Sequence, residues 1–308
     1  MNNSNYDVVI IGAGPAGLTA GLYTSRARLN SLLIEKALVG GQITNAEKVE
    51  NYTGFPEGIS GFDLMQLIHQ QATKYRLKTV MTEATGIELH ENQKVVKTTE
   101  GDFIARTIII AGGSQRQELG VPGEKEFTGK GVSYCATCDA AFFRELPVAV
   151  AGGGNAAITE ALQLAKFASK VTIIHRRHEL RATRIMEERA FSEPKIEFLW
   201  DTAVERIEGK DFVKSLQLRN VSTGGKSALE VSGIFVSIGF KPDTDYLKGI
   251  LPLDPIGHII TNEKMETEIG GIFAAGDIRS NSARQAITAA GDGATAAIYA
   301  ERFLTENK

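Results

Sequence analysis

Val8-Val9-Ile10-Ile11-Gly12-Ala13-Gly14-Pro15-Ala16-Gly17 decides how this chain folds. The apolar run reads as a buried strand. The glycine turn that ends it leads into an Ala-rich helical stretch, Leu18 to Arg28. A second strand, Ser31-Leu32-Leu33-Ile34, follows and ends at Glu35. Gly12 permits the tight turn, Gly14 lets a pyrophosphate approach the backbone, and Gly17 lets helix and strand pack closely. Pro15 suits the first helical turn, where its missing N–H costs nothing. The helix start then offers free N–H groups to phosphate. Glu35 stands 23 residues after Gly12, within reach of ribose hydroxyls. An unoccupied structural turn is the bland alternative, and the acid and flanking strands count against it.

The pattern returns 140 residues later. Pro147-Val148-Ala149-Val150-Ala151 is a strand, and Gly152-Gly153-Gly154-Asn155-Ala156-Ala157 is a turn of the same type. A helix from about Ala157 to Ala168 and a strand, Lys170-Val171-Thr172-Ile173-Ile174, complete the unit. This strand ends in His175-Arg176-Arg177, not in an acid. Arg176, Arg177 and Arg181 would grip a 2′-phosphate bidentately, which favours NADPH over NADH. The bland reading is a solvated basic face. Each unit continues into short alternating segments: Val80 to Ala105 in the first, then Ala203–Glu208, Val213–Leu218 and Glu230–Val236 in the second. Each then reaches an Ile-rich run ending in glycine, at Gly112-Gly113 and Gly239. The expected fold class is α/β. It has two Rossmann-like, three-layer ββα dinucleotide-binding domains, each with a β-meander.

Between these landmarks, Gly40-Gly41-Gln42 to Pro56 is too long for a plain connection. Gly41 and Gln42 could meet the far end of a dinucleotide or form a solvated turn. Ser60 to Tyr75 reads as a helix with an apolar stripe of Phe62, Leu64, Leu67 and Ile68. Near the C-terminus, Gly270-Gly271-Ile272-Phe273-Ala274-Ala275-Gly276-Asp277 is a strand ending in Gly-Asp, followed by an Ala-rich helix from about Arg284 to Phe303. Asp277 could bond a ribityl hydroxyl or merely cap a helix. The Arg284-Gln285-Ala286-Ile287 start of the helix could face the pyrimidine end of a flavin. Trp200, His90 and His258 have no motif context and read as packing or surface residues.

The chain has two cysteines, and both fall in Cys135-Ala136-Thr137-Cys138-Asp139. Two intervening residues place the sulfurs on one helical turn, close enough to bond reversibly. A helix start would lower one thiol's pKa, and Asp139 could carry a proton to or from it. Half a zinc site lacks further ligands. A static staple is unexpected in a chain whose opening residues show no secretion signal.

With 308 residues, two domains are expected. Hydrophobic residues at 43% and charged residues at 23% suit a soluble globular protein. The net charge of −3 supports neither nucleic-acid binding nor a polybasic membrane surface. No apolar run is long enough for a transmembrane helix.

Taken in order, Gly12–Gly17, Glu35, Gly40-Gly41-Gln42, the cysteine motif, Gly152–Ala157, His175-Arg176-Arg177 with Arg181, Gly276-Asp277 and Arg284-Gln285 resemble the bacterial-type, low-molecular-weight thioredoxin reductases over nearly the whole chain. Ala111-Gly112-Gly113 departs from the family's more usual Ala-Thr-Gly. The resemblance implies FAD in a discontinuous domain, 1–114 with 247–308, and NADPH in 115–246, which carries the cysteines. It adds Lys36 and Asn51 to the cofactor-binding set, beside Gly112, which could let a backbone approach a ligand closely. It implies that Cys138 faces the flavin, that Cys135 attacks the partner's disulfide and that Asp139 manages the proton. A thioredoxin-like partner and a homodimer follow from the same resemblance; with no signal peptide or transmembrane run visible, a reducing cytoplasm is the expected location. Nicotinamide and disulfide both need the flavin, so a domain rotation about crossings near Gln115–Gly120 and Asp243–Leu247 is expected. Competing readings are a thiol reductase fed by NADH or ferredoxin, and a redox sensor that does not turn over.

Overall fold

The computed structural model describes residues 5–46, 48–90 and 93–307. Met1–Ser4, part of the segment on which the absence of a leader was read, lies outside them. The chain forms two compact units. The first runs up to Gln115 and resumes at Lys241; the second is Arg116–Phe240.

In the first unit, β1 (Asn5–Ile11), α1 (Pro15–Arg26) and β2 (Ser31–Glu35) follow the sequence reading closely. Next come α2 (Gly61–Thr73), β3 (Lys78–Met81), β4 (Ala84–Leu89), β5 (Lys94–Thr98) and β6 (Gly101–Ile110). The sheet order is β3-β2-β1-β6-β5-β4. β3, β2, β1 and β6 are parallel; β6, β5 and β4 are antiparallel. The sequence reading placed a meander up to Ala105 and a separate buried strand from Thr107. Both belong to the single strand β6. Its first half pairs with β5, and from Thr107 to Ile110 it lies fully buried beside β1. An alternating pattern giving way to an all-apolar one marks a change of neighbours here, not a turn.

The stripe expected on α2 is rotated. Leu64, Met65 and Ala72 are buried, while Phe62 and Leu67 are exposed. Ser60 caps the helix by accepting the Asp63 N–H.

The chain leaves the first unit through β7 (Ser114–Arg116). The second unit holds β8 (Val132–Ser133), α3 (Ala136–Asp139), β9 (Pro147–Ala151), α4 (Asn155–Ala165), β10 (Lys170–Ile174), α5 (Arg184–Ser192) and β11 (Ile196–Leu199). A meander of β12 (Thr202–Gly209), β13 (Val213–Asn220) and β14 (Lys226–Glu230) precedes β15 (Gly233–Val236). Its parallel sheet has the order β11-β10-β9-β15-β8. The expected strand Glu230–Val236 is in fact two. β14 ends at Glu230 antiparallel to β13, and β15 begins at Gly233 parallel to β9. A side chain at Gly233 would collide with the Phe143 ring.

β16 (Phe240–Pro242) carries the chain back, and β17 (Ile272–Ala274) inserts beside β6. α6 (Ala286–Glu306) then packs on α1. Gly293 allows that approach, since a β-carbon there would meet the Ala16 carbonyl. The units divide near 115/116 and 240/241, so residues 241–246 lie with the first unit, where Asp243 pairs with Lys36 at 2.6 Å.

Candidate active site

The first glycine turn has the geometry that phosphate binding requires. Gly12 has φ +100°, and a side chain there would strike Ala111. A β-carbon on Gly17 would strike the Gly12 carbonyl, so strand and helix touch at that point. At Gly14 the same imaginary atom meets nothing within 4 Å. That open cradle sits over the start of α1, where Gly14 is the N-cap without a side-chain cap and Pro15 follows. Ala16 is buried against Gly276.

Glu35 closes the other side of the turn. Its Oε2 accepts the Ala13 N–H at 2.7 Å and its Oε1 the Ala37 N–H at 2.9 Å. Gly40 donates its N–H to the Ala13 carbonyl at 2.8 Å, and Gly41 packs on Gly14. Gly41 opens a short 3-10 turn, and Gln42 within it is exposed. A cavity of about 370 Å³ adjoins the turn, lined among others by Gly12, Glu35, Lys36, Glu83, Gly112 and Tyr246. The buried Tyr246 hydroxyl lacks a hydrogen-bond partner, and burial pushes its phenol well above the usual range. Burial alone would lower Lys36, but its bond to Asp243 and the nearby Glu83 leave it raised.

The C-terminal return completes this end. Burial pushes the Asp277 carboxyl up, partly offset by Ser282 and Arg284. Gln285 stands at the N-cap position of α6 without capping it through its side chain; its Oε1 instead accepts from Asn51 Nδ2 at 2.8 Å, and the first turn of α6 contains Ala286 and Ile287. Arg284 Nη2 lies 3.2 Å from Nε2 of the buried His258. From the sequence His258 reads as packing or surface, because no motif marks it and Arg284 lies 26 residues away.

The second turn repeats the first. Gly152 has φ +145°, and a side chain there would hit the Ser237 carbonyl, while Gly154 is open. Ala157 is buried where the first turn has Gly17; Asn155 and Ala156 are exposed. The Arg181 N–H donates to the Gly153 carbonyl at 2.6 Å, and Asn155 Oδ1 accepts the Thr183 N–H at 2.7 Å. These bonds draw the basic segment to the turn. Arg176, Arg177 and Arg181 are exposed. His175 is buried instead, its ring packed under Gly153 and edge-on to Trp200. Burial, opposed by a backbone hydrogen bond at Glu179 and reinforced by the three arginines, lowers its pKa. Its part is to prop the turn.

Cys135 and Cys138 form a disulfide with 5.4 Å between their α-carbons. Cys135 is half-buried and Cys138 exposed. The Cys138 N–H points at Cys135 Sγ, 3.2 Å away. Ser133, absent from the sequence-based set, ties the site together. Its hydroxyl accepts the Cys135 N–H at 3.1 Å and donates to Asp139 Oδ2 at 2.6 Å. Among the described residues no cluster of side chains could hold a metal ion, and no helix is long and apolar enough to cross a membrane.

Two dinucleotide turns and one redox-capable cysteine pair define an oxidoreductase that works on disulfides, and the family of pyridine nucleotide-disulphide oxidoreductases matches residues 6–293. The chain belongs to that family and, within it, to the thioredoxin reductases. It is 45% identical to the thioredoxin reductase of Peptoclostridium acidaminophilum over 98% of both chains. It is also 45% identical to that of Bacillus subtilis over 98% of this chain and 95% of the other. The thioredoxin reductase of Lactococcus lactis superposes with a TM-score of 0.95 at 44% identity, covering 98% of this chain and 99% of the other.

Proposed function

We propose that this enzyme is an NADPH-dependent thioredoxin reductase, with FAD in the first unit and NADPH in the second. The observation that carries this reading is the Cys135–Cys138 disulfide, held beside a Ser133–Asp139 hydrogen bond in a chain with two dinucleotide turns. FAD fits the first unit on three counts: the open cradle at Gly14, the adjoining cavity at Glu35 and the orphaned Tyr246 hydroxyl. Gly12, Gly14, Glu35, Lys36, Gly112 and Asp277 would hold it, with Arg284–Ile287 at its far end. Bound FAD supplies a two-electron carrier between a nicotinamide and a disulfide.

The remaining chemistry belongs to the chain's own residues. When the disulfide is reduced, the Cys138 N–H stabilises a thiolate on Cys135. Asp139, oriented by Ser133, holds and moves the proton that the thiol gains or loses. The Cys135 thiolate attacks one sulfur of the partner's disulfide and releases the other as a thiolate. Cys138 then attacks Cys135 Sγ, which frees the partner as a dithiol and restores the internal disulfide. Arg176, Arg177 and Arg181 would select the 2′-phosphate of NADPH.

The thioredoxin reductases among its relatives support a thioredoxin-like acceptor; a homodimer and a reducing, cytoplasmic setting belong to the same proposal, the latter because a close cysteine pair that cycles suits a reducing compartment. The test is spectroscopic. The flavin absorbance of the purified protein should bleach with NADPH and return with oxidised thioredoxin. Bleaching with no return would favour a sensor; bleaching by NADH alone would reverse the donor assignment.

A further inference from the structure

Asp254, His258 and Arg284 form a hydrogen-bonded chain outside both glycine turns. Asp254 Oδ1 accepts the N–H groups of Ile256 at 2.9 Å and His258 at 2.8 Å, which closes a tight turn. The next residue, Ile259, donates its N–H to the Ile278 carbonyl at 3.0 Å and accepts the Ser280 N–H at 2.8 Å. His258 is thereby fixed beside the segment that leads to α6. Its side chain is only 6% exposed. Nδ1 lies 3.0 Å from Asp254 Oδ2, and Nε2 lies 3.2 Å from Arg284 Nη2.

A guanidinium can only donate. The lone pair must therefore sit on Nε2, and the proton on Nδ1 is given to Asp254. In this arrangement Nδ1 donates to Asp254 and Nε2 accepts from Arg284. Arg284 has φ +55°, a region that side chains with a β-carbon disfavour. Its N–H donates to Ser282 Oγ at 3.2 Å, and that hydroxyl donates to Asp277 Oδ1 at 3.3 Å. Arg284 is thus restrained through its backbone and through its side chain.

We infer that His258 is a positioning residue: by offering a lone pair to Arg284 it fixes the Arg284–Gln285 segment for flavin binding at the start of α6. The inference rests on the reading that this segment faces the flavin. Its test uses the full-length chain stripped of flavin and titrated with FAD, followed by fluorescence. H258F keeps a ring but removes the acceptor; H258Q restores an acceptor near Nε2. The expected result is an FAD dissociation constant raised at least fivefold in H258F and mostly recovered in H258Q, with NADPH affinity unchanged in both. Nitrogen-15 NMR of histidine-labelled wild-type protein should show the Nδ1–H tautomer of His258. Unchanged FAD affinity in H258F, no recovery in H258Q, or the Nε2–H tautomer would each overturn the inference. If H258F does not fold, H258Q and the wild-type tautomer still decide. A wild-type chain that binds no FAD would overturn the function reading and this inference with it, an outcome distinct from equal binding by wild type and H258F.

Discussion

Arg116 Nη1 donates to Glu160 Oε1 at 2.6 Å, while the other carboxylate oxygen of Glu160 is buried without a partner. Burial pushes this carboxyl up to about 7, with Arg116 pulling the other way. The folded state therefore holds a proton that the unfolded state releases above about 4.5. Stability of the second unit should fall as pH rises from about 4.5 to 7 and level off above, by on the order of 3 kcal/mol. His175, whose pKa is lowered, acts in the opposite sense below its ordinary value of 6.5. The decisive quantity is thus the difference between wild type and E160Q in denaturant titrations at pH 5 and pH 8. That difference should grow in favour of E160Q towards pH 8.

Gly14 and Gly154 have backbone angles that any residue tolerates, at φ −75° and −101°, and open space where a β-carbon would go. G14A should unfold within about 1 kcal/mol of wild type, yet bind FAD at least tenfold more weakly. G154A should raise KM for NADPH with equally little effect on stability. G17A, by contrast, should destabilise the first unit outright, because its methyl group would strike the Gly12 carbonyl. Thermal melts paired with ligand titrations separate the two behaviours.

Removing the Asp139 carboxylate should slow the thiol half of the cycle alone. D139N is expected to lower thioredoxin reduction by roughly 10²-fold, the low end for a positioned acid or base. The rate of flavin bleaching by NADPH should stay close to wild type. S133A, which removes the 2.6 Å hydrogen bond to Asp139, should show a smaller effect in the same direction. Stopped-flow measurement of each half-reaction is the check.

The double variant R176A/R177A should raise KM for NADPH at least tenfold and leave KM for NADH nearly unchanged. A comparable loss with both nucleotides would mean that these side chains support the fold and do not read the 2′-phosphate.

The glycine turns were legible because each glycine answers a separate local demand. Gly12 and Gly152 need positive φ, Gly17 needs contact without a side chain, and Gly14 and Gly154 need emptiness. The strands beside them were legible from their uniform apolar runs. What escaped depends on tertiary neighbours. Lys36 meets Asp243 from 207 residues away, and His258 meets Arg284 from 26 away; no local pattern announces either pair. The division at Val231–Ser232 was hidden because a meander strand and a core strand follow each other with almost no turn. Ser133 carries no signal beyond standing two residues before Cys135. His175 reads with the arginines that follow it, but it comes directly after β10, is buried, and its ring lies under Gly153.

β17 enters the first sheet beside β6, and α6 closes over α1. This has a consequence for biosynthesis. The second unit is contiguous and can fold while the ribosome is still translating. The first lacks a strand and its sealing helix until the last residues emerge. With FAD in the first unit as proposed, flavin capture should be a late event, and a nascent chain stalled before Ile272 should already bind NADPH while remaining colourless.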